Sequence, residues 1–159
     1  MLEYRPEKDK HSSYFSIILL ICGLILFSLS GYLEISPFII QIISIAFIVF
    51  AIQVMQRYVL ADFVYIIDDK DNGESLLNVI RVQGNKKITV CSVELENCVF
   101  AGDSDKFDKK LNNSFDYRQN FFNSGKFAIV YNDGGDNIMI KLETDEDFKK
   151  AINDRIAHE

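Results

Sequence analysis

Between Lys10 and Arg57 the chain has no lysine or arginine, and no charge of either sign interrupts Tyr14–Leu33 or Pro37–Met55. It is equally poor in the groups that carry chemistry. Its two histidines are His11 and His158, and neither lies near a cysteine or carboxylate cluster at ligand spacing, which argues against a zinc site. The three cysteines, Cys22, Cys91 and Cys98, include no C-x-x-C pair. Cys91 ends the alternating run Ile88-Thr89-Val90-Cys91 and reads as a small buried hydrophobe. There is no P-loop, no dinucleotide-binding glycine pattern and no G-x-S-x-G elbow. Nor is there a basic stripe. The segment from Arg57 onward holds 14 Lys and Arg against 19 Asp and Glu, so its net charge of −5 speaks against nucleic acid, whose binding rests on phosphate neutralisation. No cofactor and no specific small molecule is expected.

What the chain does have is apolar length. Each uncharged run is about 20 residues, enough for a helix to cross a hydrocarbon core of roughly 30 Å. Only Glu34, Ile35 and Ser36 separate the two runs, which predicts a tight antiparallel hairpin. Arg5, Lys8 and Lys10 precede the first run and Arg57 follows the second, so the positive-inside rule puts both termini in the cytoplasm. Tyr14, Phe15, Tyr32 and Tyr58 bracket the spans as interfacial aromatics do. A competing reading is a cleaved signal peptide, with Lys8 and Lys10 as its charged region, Ile17–Phe27 as its apolar stretch and Ser28-Leu29-Ser30 as its cleavage site. The second run would still cross, so the following domain is cytoplasmic either way. Ser16, Cys22, Gly23, Ser28, Ser30 and Gly31 in the first run, and Gln41, Ser44 and Gln53 in the second, give the helices small or weakly polar packing positions. Neither run carries an ionisable group at mid-membrane depth, the usual mark of a transporter or intramembrane enzyme.

Beyond Arg57 the period shifts toward two. Tyr58–Ile67, Leu76–Val82, Lys86–Cys91, Leu95–Ala101, Phe115–Phe122, Lys126–Tyr131 and Asn137–Glu143 read as strands, with Gly102–Asn113 as a long exposed loop. Asn132-Asp133-Gly134-Gly135-Asp136 has the composition of a hairpin turn. Thr144 is placed to cap a final helix with Asp145, Glu146 and Asp147 in its first turn, and Phe148, Ile152 and Ile156 recur on one face. The organisation predicted is a cytoplasmic tail over 1–13, a transmembrane hairpin over 14–56 and a cytoplasmic domain over 57–159.

Several segments carry a likeness beyond composition. They are Arg57-Tyr58-Val59-Leu60 with Phe63 and Tyr65, Arg81-Val82-Gln83-Gly84-Asn85-Lys86-Lys87, Thr89-Val90-Cys91, Tyr131-Asn132-Asp133-Gly134, and Glu143-Thr144-Asp145-Glu146 with Phe148. In these the chain resembles small bacterial membrane proteins of Gram-positive type, in which a two-helix transmembrane hairpin precedes a bacterial PH-like domain. The resemblance implies an α+β fold: the hairpin, then a PH-like seven-strand β-barrel or sandwich with a C-terminal capping helix. It implies a location in the cell membrane and brings no catalytic residues.

Binding candidates are few. Phe115, Tyr117, Phe121 and Phe122 form an aromatic cluster suited to docking a partner, or alternatively to core packing. Lys86 and Lys87, or Lys106, Lys109 and Lys110, could touch anionic headgroups at about 1 kcal/mol each, or be ordinary exposed charges. The turn Asp68–Glu74 lacks the ligand pattern of an EF-hand and is too acidic for a phosphoinositide loop. The resulting expectation is a non-enzymatic, membrane-tethered binding or scaffolding module whose partner is a protein or a second copy. The alternative is a small accessory subunit of a transporter or membrane enzyme, acting through its hairpin. A hydrolase or transferase resting on Asp103, Asp105 and Asp108 ranks last.

Overall fold

The computed structural model describes residues 1–32, 36–70, 73–122 and 125–156. The central residues of the hairpin loop, part of the acidic turn and His158 lie outside them. The chain divides into two compact units. One comprises Lys8–Ala61 with Asn120–Phe122, and the other Met1–Glu7, Asp62–Gln119 and the described residues after Phe122.

The helical unit is built on α1 (Lys10–Leu29) and α2 (Pro37–Val54), whose second helix continues as a π-helical turn over Met55–Val59. Both are long and apolar enough to cross a membrane, and most of their surface is exposed apolar side chain. Asp9 caps α1, its carboxylate accepting the His11 N–H at 2.9 Å. The seam between the helices is lined by small residues: Ser16 and Gly23 on α1, Ser30 at its C-terminal cap, and Ser44 and Ala51 on α2 are buried. At Gly23 the backbones approach so closely that an added Cβ would lie 2.7 Å from Ile48 Cγ1 and 3.1 Å from the Ser44 carbonyl oxygen. The strand expected from Tyr58 therefore starts later. Tyr58 and Val59 stay helical, with the Leu60 N–H bonded to the Met55 carbonyl at 2.9 Å, because nothing between Val54 and Leu60 breaks a helix.

The second unit has two four-stranded sheets. In the first, β1 (Leu2–Tyr4), β2 (Asp62–Asp69), β3 (Ser75–Gln83) and β4 (Lys86–Glu94) pair antiparallel in that order. A 3-10 turn over Leu95–Asn97 carries the chain into the second sheet. This one contains β5 (Cys98–Asp103), β6 (Asn113–Asp116), β7 (Phe127–Asp133) and β8 (Asp136–Lys141) in the order β5-β7-β8-β6, with β6 parallel to β8. Gly134 and Gly135, at φ of 59° and 98°, make the expected β7–β8 turn. A last helix, α3 (Glu146–Ile156), follows.

Alternation fixes the core. Phe63, Tyr65 and Ile67 of β2, Leu77 and Val79 of β3, Ile129 of β7 and Ile140 of β8 point into one cluster with Leu95 and Leu142, and Phe148 and Ile152 of α3 pack on it. The opposite face of the second sheet, Ala128, Val130 and Met139, carries a smaller cluster with Phe100, Phe107 and Leu111. The segment expected as a long exposed loop is thus anchored by Phe107 and Leu111 and contains a 3-10 turn at Ser104–Lys106.

The coarse expectation stands: an α+β chain with two apolar helices, a β-domain and a C-terminal helix. In detail the described residues form eight strands in two open sheets, not a closed barrel of seven. The added strand is β1, three residues taken from the expected tail and too short for periodicity to signal. The strand expected over Phe115–Phe122 shrinks to Asn113–Asp116, and Asn120–Phe122 belongs to the helical unit.

Candidate functional site

Each sheet leaves two edges, β1 and β4 in one and β5 and β6 in the other. Each of these strands turns a large apolar side chain outward: Leu2 on β1 (39% exposed), Ile88 on β4 (58% exposed), Val99 on β5 and Phe115 on β6 (46% exposed). All four residues of β6 are exposed. The Phe115 ring stacks on Tyr117 at 6.3 Å and 17°. Tyr117 itself turns inward, its ring 6.1 Å from Phe63 and its hydroxyl donating to the Val90 carbonyl at 3.4 Å. Lys86 and Lys87 open β4, facing Gln83 and Val82 across the turn, and both are exposed beside Ile88.

The expected aromatic cluster is therefore two pairs. Phe115 and Tyr117 belong to the β-unit, whereas Phe121 and Phe122, 5.0 Å apart and nearly perpendicular, belong to the helical unit. There Phe121 packs on Phe15 at 5.5 Å, Tyr58 at 5.3 Å and Phe50 at 6.4 Å, and Phe122 meets Phe15 edge-on at 5.1 Å. Sequence alternation put all four on one strand; the signal that separates them is Arg118-Gln119-Asn120, a polar stretch with no alternating apolar residue.

Sequence reasoning missed a groove of about 550 Å³ formed by β5, the Ser104–Lys106 turn and α3. Lys106, Lys149 and Lys150 line it together with Asp103 and Glu146. Lys106 pairs with Asp103 at 3.3 Å and Lys149 with Glu146 at 2.6 Å, so the groove is nearly neutral and poorly matched to a strongly anionic ligand. A smaller groove of about 360 Å³ lies between β1 and α3, lined by Tyr4, Phe148 and Ala151 together with the acidic Glu3, Asp145 and Asp147.

The titratable groups are engaged structurally. Partial burial pushes the Cys98 thiol up to about 12 and raises Cys91 as well, which leaves both protonated at neutral pH. In the acidic turn, Arg155 forks onto both carboxylate oxygens of Asp69 at 2.7 and 2.8 Å, and the Ser75 hydroxyl donates to the same group at 2.8 Å. Those bonds, the Arg155 contact first, hold the Asp69 carboxyl well below its ordinary range. Lys70 pairs with Glu74 at 2.9 Å. Of the aspartates weighed as catalytic, Asp103 pairs with Lys106 and Asp105 with Lys126. Among the described residues no three His, Cys, Asp or Glu side chains come together as metal ligands would.

Compared with family models, with curated proteins and with solved structures, the chain matches none of them.

Proposed function

We propose that the protein is a two-span membrane protein whose β-unit is a cytoplasmic, PH-like, non-enzymatic binding or scaffolding module with a protein partner or a second copy as its ligand. The observation that carries this reading is a strand pairing. Leu2, Glu3 and Tyr4, which precede α1, pair with Ile67, Ile66 and Tyr65, which follow α2. The hairpin is thus an insertion between two neighbouring strands of one sheet. Both of its ends must return to the same side of a bilayer, which supports an even number of spans. Arg5, Lys8, Lys10 and Arg57 at those ends support the cytoplasmic side. Two four-stranded sheets sharing a core with a C-terminal helix support the PH-like description. The exposed apolar residues on β4, β5 and β6 support docking along a sheet edge, where an added strand completes unpaired backbone groups.

Crosslinking of the full chain in its native membrane tests the reading. A discrete adduct lost on replacing Ile88 or Phe115 by Lys is the expected result, and isolated monomer under all conditions would overturn it. The accessory-subunit alternative draws on the apolar outer surfaces of α1 and α2. Exchange of both helices for an unrelated hairpin separates the two: the edge-docking module keeps its adduct, and a subunit acting through its spans loses it.

A further inference from the structure

Phe121 and Phe122 lie far along the chain from the hairpin, yet they form part of its helical unit, and their level along the helices can be read from their partners. Phe15 comes five residues after Lys10, about 7.5 Å along α1, and Phe50 comes seven residues before Arg57, about 10 Å along α2. The Phe121 ring touches both. It also packs on Tyr58, one residue beyond Arg57, so it sits at the level of the cations that close the two helices and reaches from there to their apolar side. At this level Phe122 is 54% exposed, and nearby Tyr14 is 61% exposed. The tip is fixed at its backbone: the Phe121 N–H donates to the buried Ser12 hydroxyl at 3.1 Å, and Asn120 Oδ1 accepts the Asp9 N–H at 2.6 Å. Irregular backbone at the edge of a bilayer is tolerated where its polar groups find such partners. Lys8, whose ammonium donates to the Val59 carbonyl at 2.8 Å, and Arg57, over the Tyr58 ring at 5.0 Å, ring the same end with positive charge.

We propose that Phe122, steadied by Phe121, is an interfacial wedge that rests in the glycerol and upper acyl region of the cytoplasmic leaflet, its partner being the lipid itself. Interfacial segments bury phenylalanine, tryptophan and leucine side chains at this depth, and flanking cations meet anionic headgroups there. The tip is a third contact with the bilayer beside the two spans, contributed by a segment that follows β6. This rests on the reading of α1 and α2 as spans.

The absence of tryptophan makes a clean test. Full-length chains carrying Phe122→Trp, or Phe47→Trp midway along α2, are reconstituted in vesicles whose acyl chains are brominated either near the glycerol or near the methyl end. The expected result for Phe122→Trp is blue-shifted emission, quenched more by shallow than by deep bromine and little by aqueous iodide. Phe47→Trp should be quenched more by deep bromine. If Phe47→Trp responds so and Phe122→Trp is reached by iodide, or is insensitive to both lipids, the wedge is overturned and the spans stand. If Phe47→Trp escapes deep bromine, the spanning reading fails and takes the wedge with it. Should Phe122→Trp not fold, Phe121→Trp reads the same tip, with shallow quenching expected and iodide access again overturning the proposal.

Discussion

The Tyr65 hydroxyl donates to the Tyr117 carbonyl at 2.8 Å and accepts the Glu143 N–H at 3.3 Å. One phenol thus joins β2, the chain after β6 and the chain after β8. Gln119, fully buried, extends the stitching: its side-chain oxygen accepts the Phe63 N–H at 2.8 Å and its own N–H donates to the Glu143 carboxylate at 3.0 Å. These bonds order Tyr117–Gln119 without a strand. Tyr65→Phe keeps the ring and removes the bridge, and should destabilise the β-unit by about 1–3 kcal/mol, since buried groups on both sides lose a partner. Denaturant unfolding of the full chain in detergent measures it, and an unchanged midpoint would contradict the role given to the hydroxyl.

The start of α3 separates a sequence expectation from its outcome. Thr144 is the cap expected from sequence, but the Phe148 N–H bonds to the Asp145 carboxylate at 2.8 Å, and the Thr144 hydroxyl oxygen is buried with no hydrogen-bond partner among the described residues. Asp145→Ala should therefore cost about 1 kcal/mol of stability. Thr144→Val should be neutral or slightly stabilising, because it removes a buried polar atom that lacks a partner. The two variants compared by thermal unfolding give the order; the reverse order would restore Thr144 as the cap.

Packing of the hairpin predicts a contrast between two glycines. A side chain at Gly23 meets Ile48 and the Ser44 backbone, whereas one at Gly31 meets none of the described residues within 4 Å. Gly23→Leu should splay the helices, at about 1–3 kcal/mol or more, while Gly31→Ala is tolerated. Resistance of the detergent-solubilised chain to heat-induced aggregation checks this, and equal behaviour of the two variants would count against the close approach.

Much of this was legible in the sequence, for identifiable reasons. Long uncharged runs announce apolar helices, and Phe148 and Ile152 announce the buried face of α3 because a helix repeats on that spacing. The seam was half legible: Ser16, Gly23 and Ser30 recur every seven residues, as do Ser44 and Ala51, a spacing that marks one helix face. β1 was not legible, since three residues carry no period and their pairing with β2 is set across the whole hairpin. The division of the aromatics was hidden for the same reason. Phe121 and Phe122 are placed by partners at positions 15, 50 and 58, which local pattern cannot name.

The half-buried thiols give a prediction in alkali. The Cys98 thiol, raised to about 12 by burial, stays protonated in the fold through a range where the unfolded thiol, near 8.5, ionises. A raised acid favours the fold below the unfolded value, so stability should fall as pH climbs from about 8.5 toward 12. Cys98→Ala should flatten that slope. Native labelling by a water-soluble maleimide at neutral pH should be slow at Cys98 and rapid after unfolding; fast native labelling would sink the argument.

The Asp69–Arg155 pair predicts the opposite limb. It ties the end of β2 to the last turn of α3, with the guanidinium forking onto both carboxylate oxygens. Because the folded carboxyl is held below its ordinary value, the pair's contribution is complete above the unfolded value of about 4 and is lost as pH falls through the folded value. Asp69 is 44% exposed, so solvent screening limits the effect to about 1 kcal/mol or less. Asp69→Asn should thus lower stability slightly at neutral pH and make the acid limb shallower, converging with the parent chain only in strong acid, below the folded value. Arg155→Leu should show the same neutral-pH loss, and the double variant should lose no more than either alone, since the two residues share one interaction. A double variant whose loss equals the sum of the two single losses would mean that the ion pair contributes nothing of its own to the docking of α3.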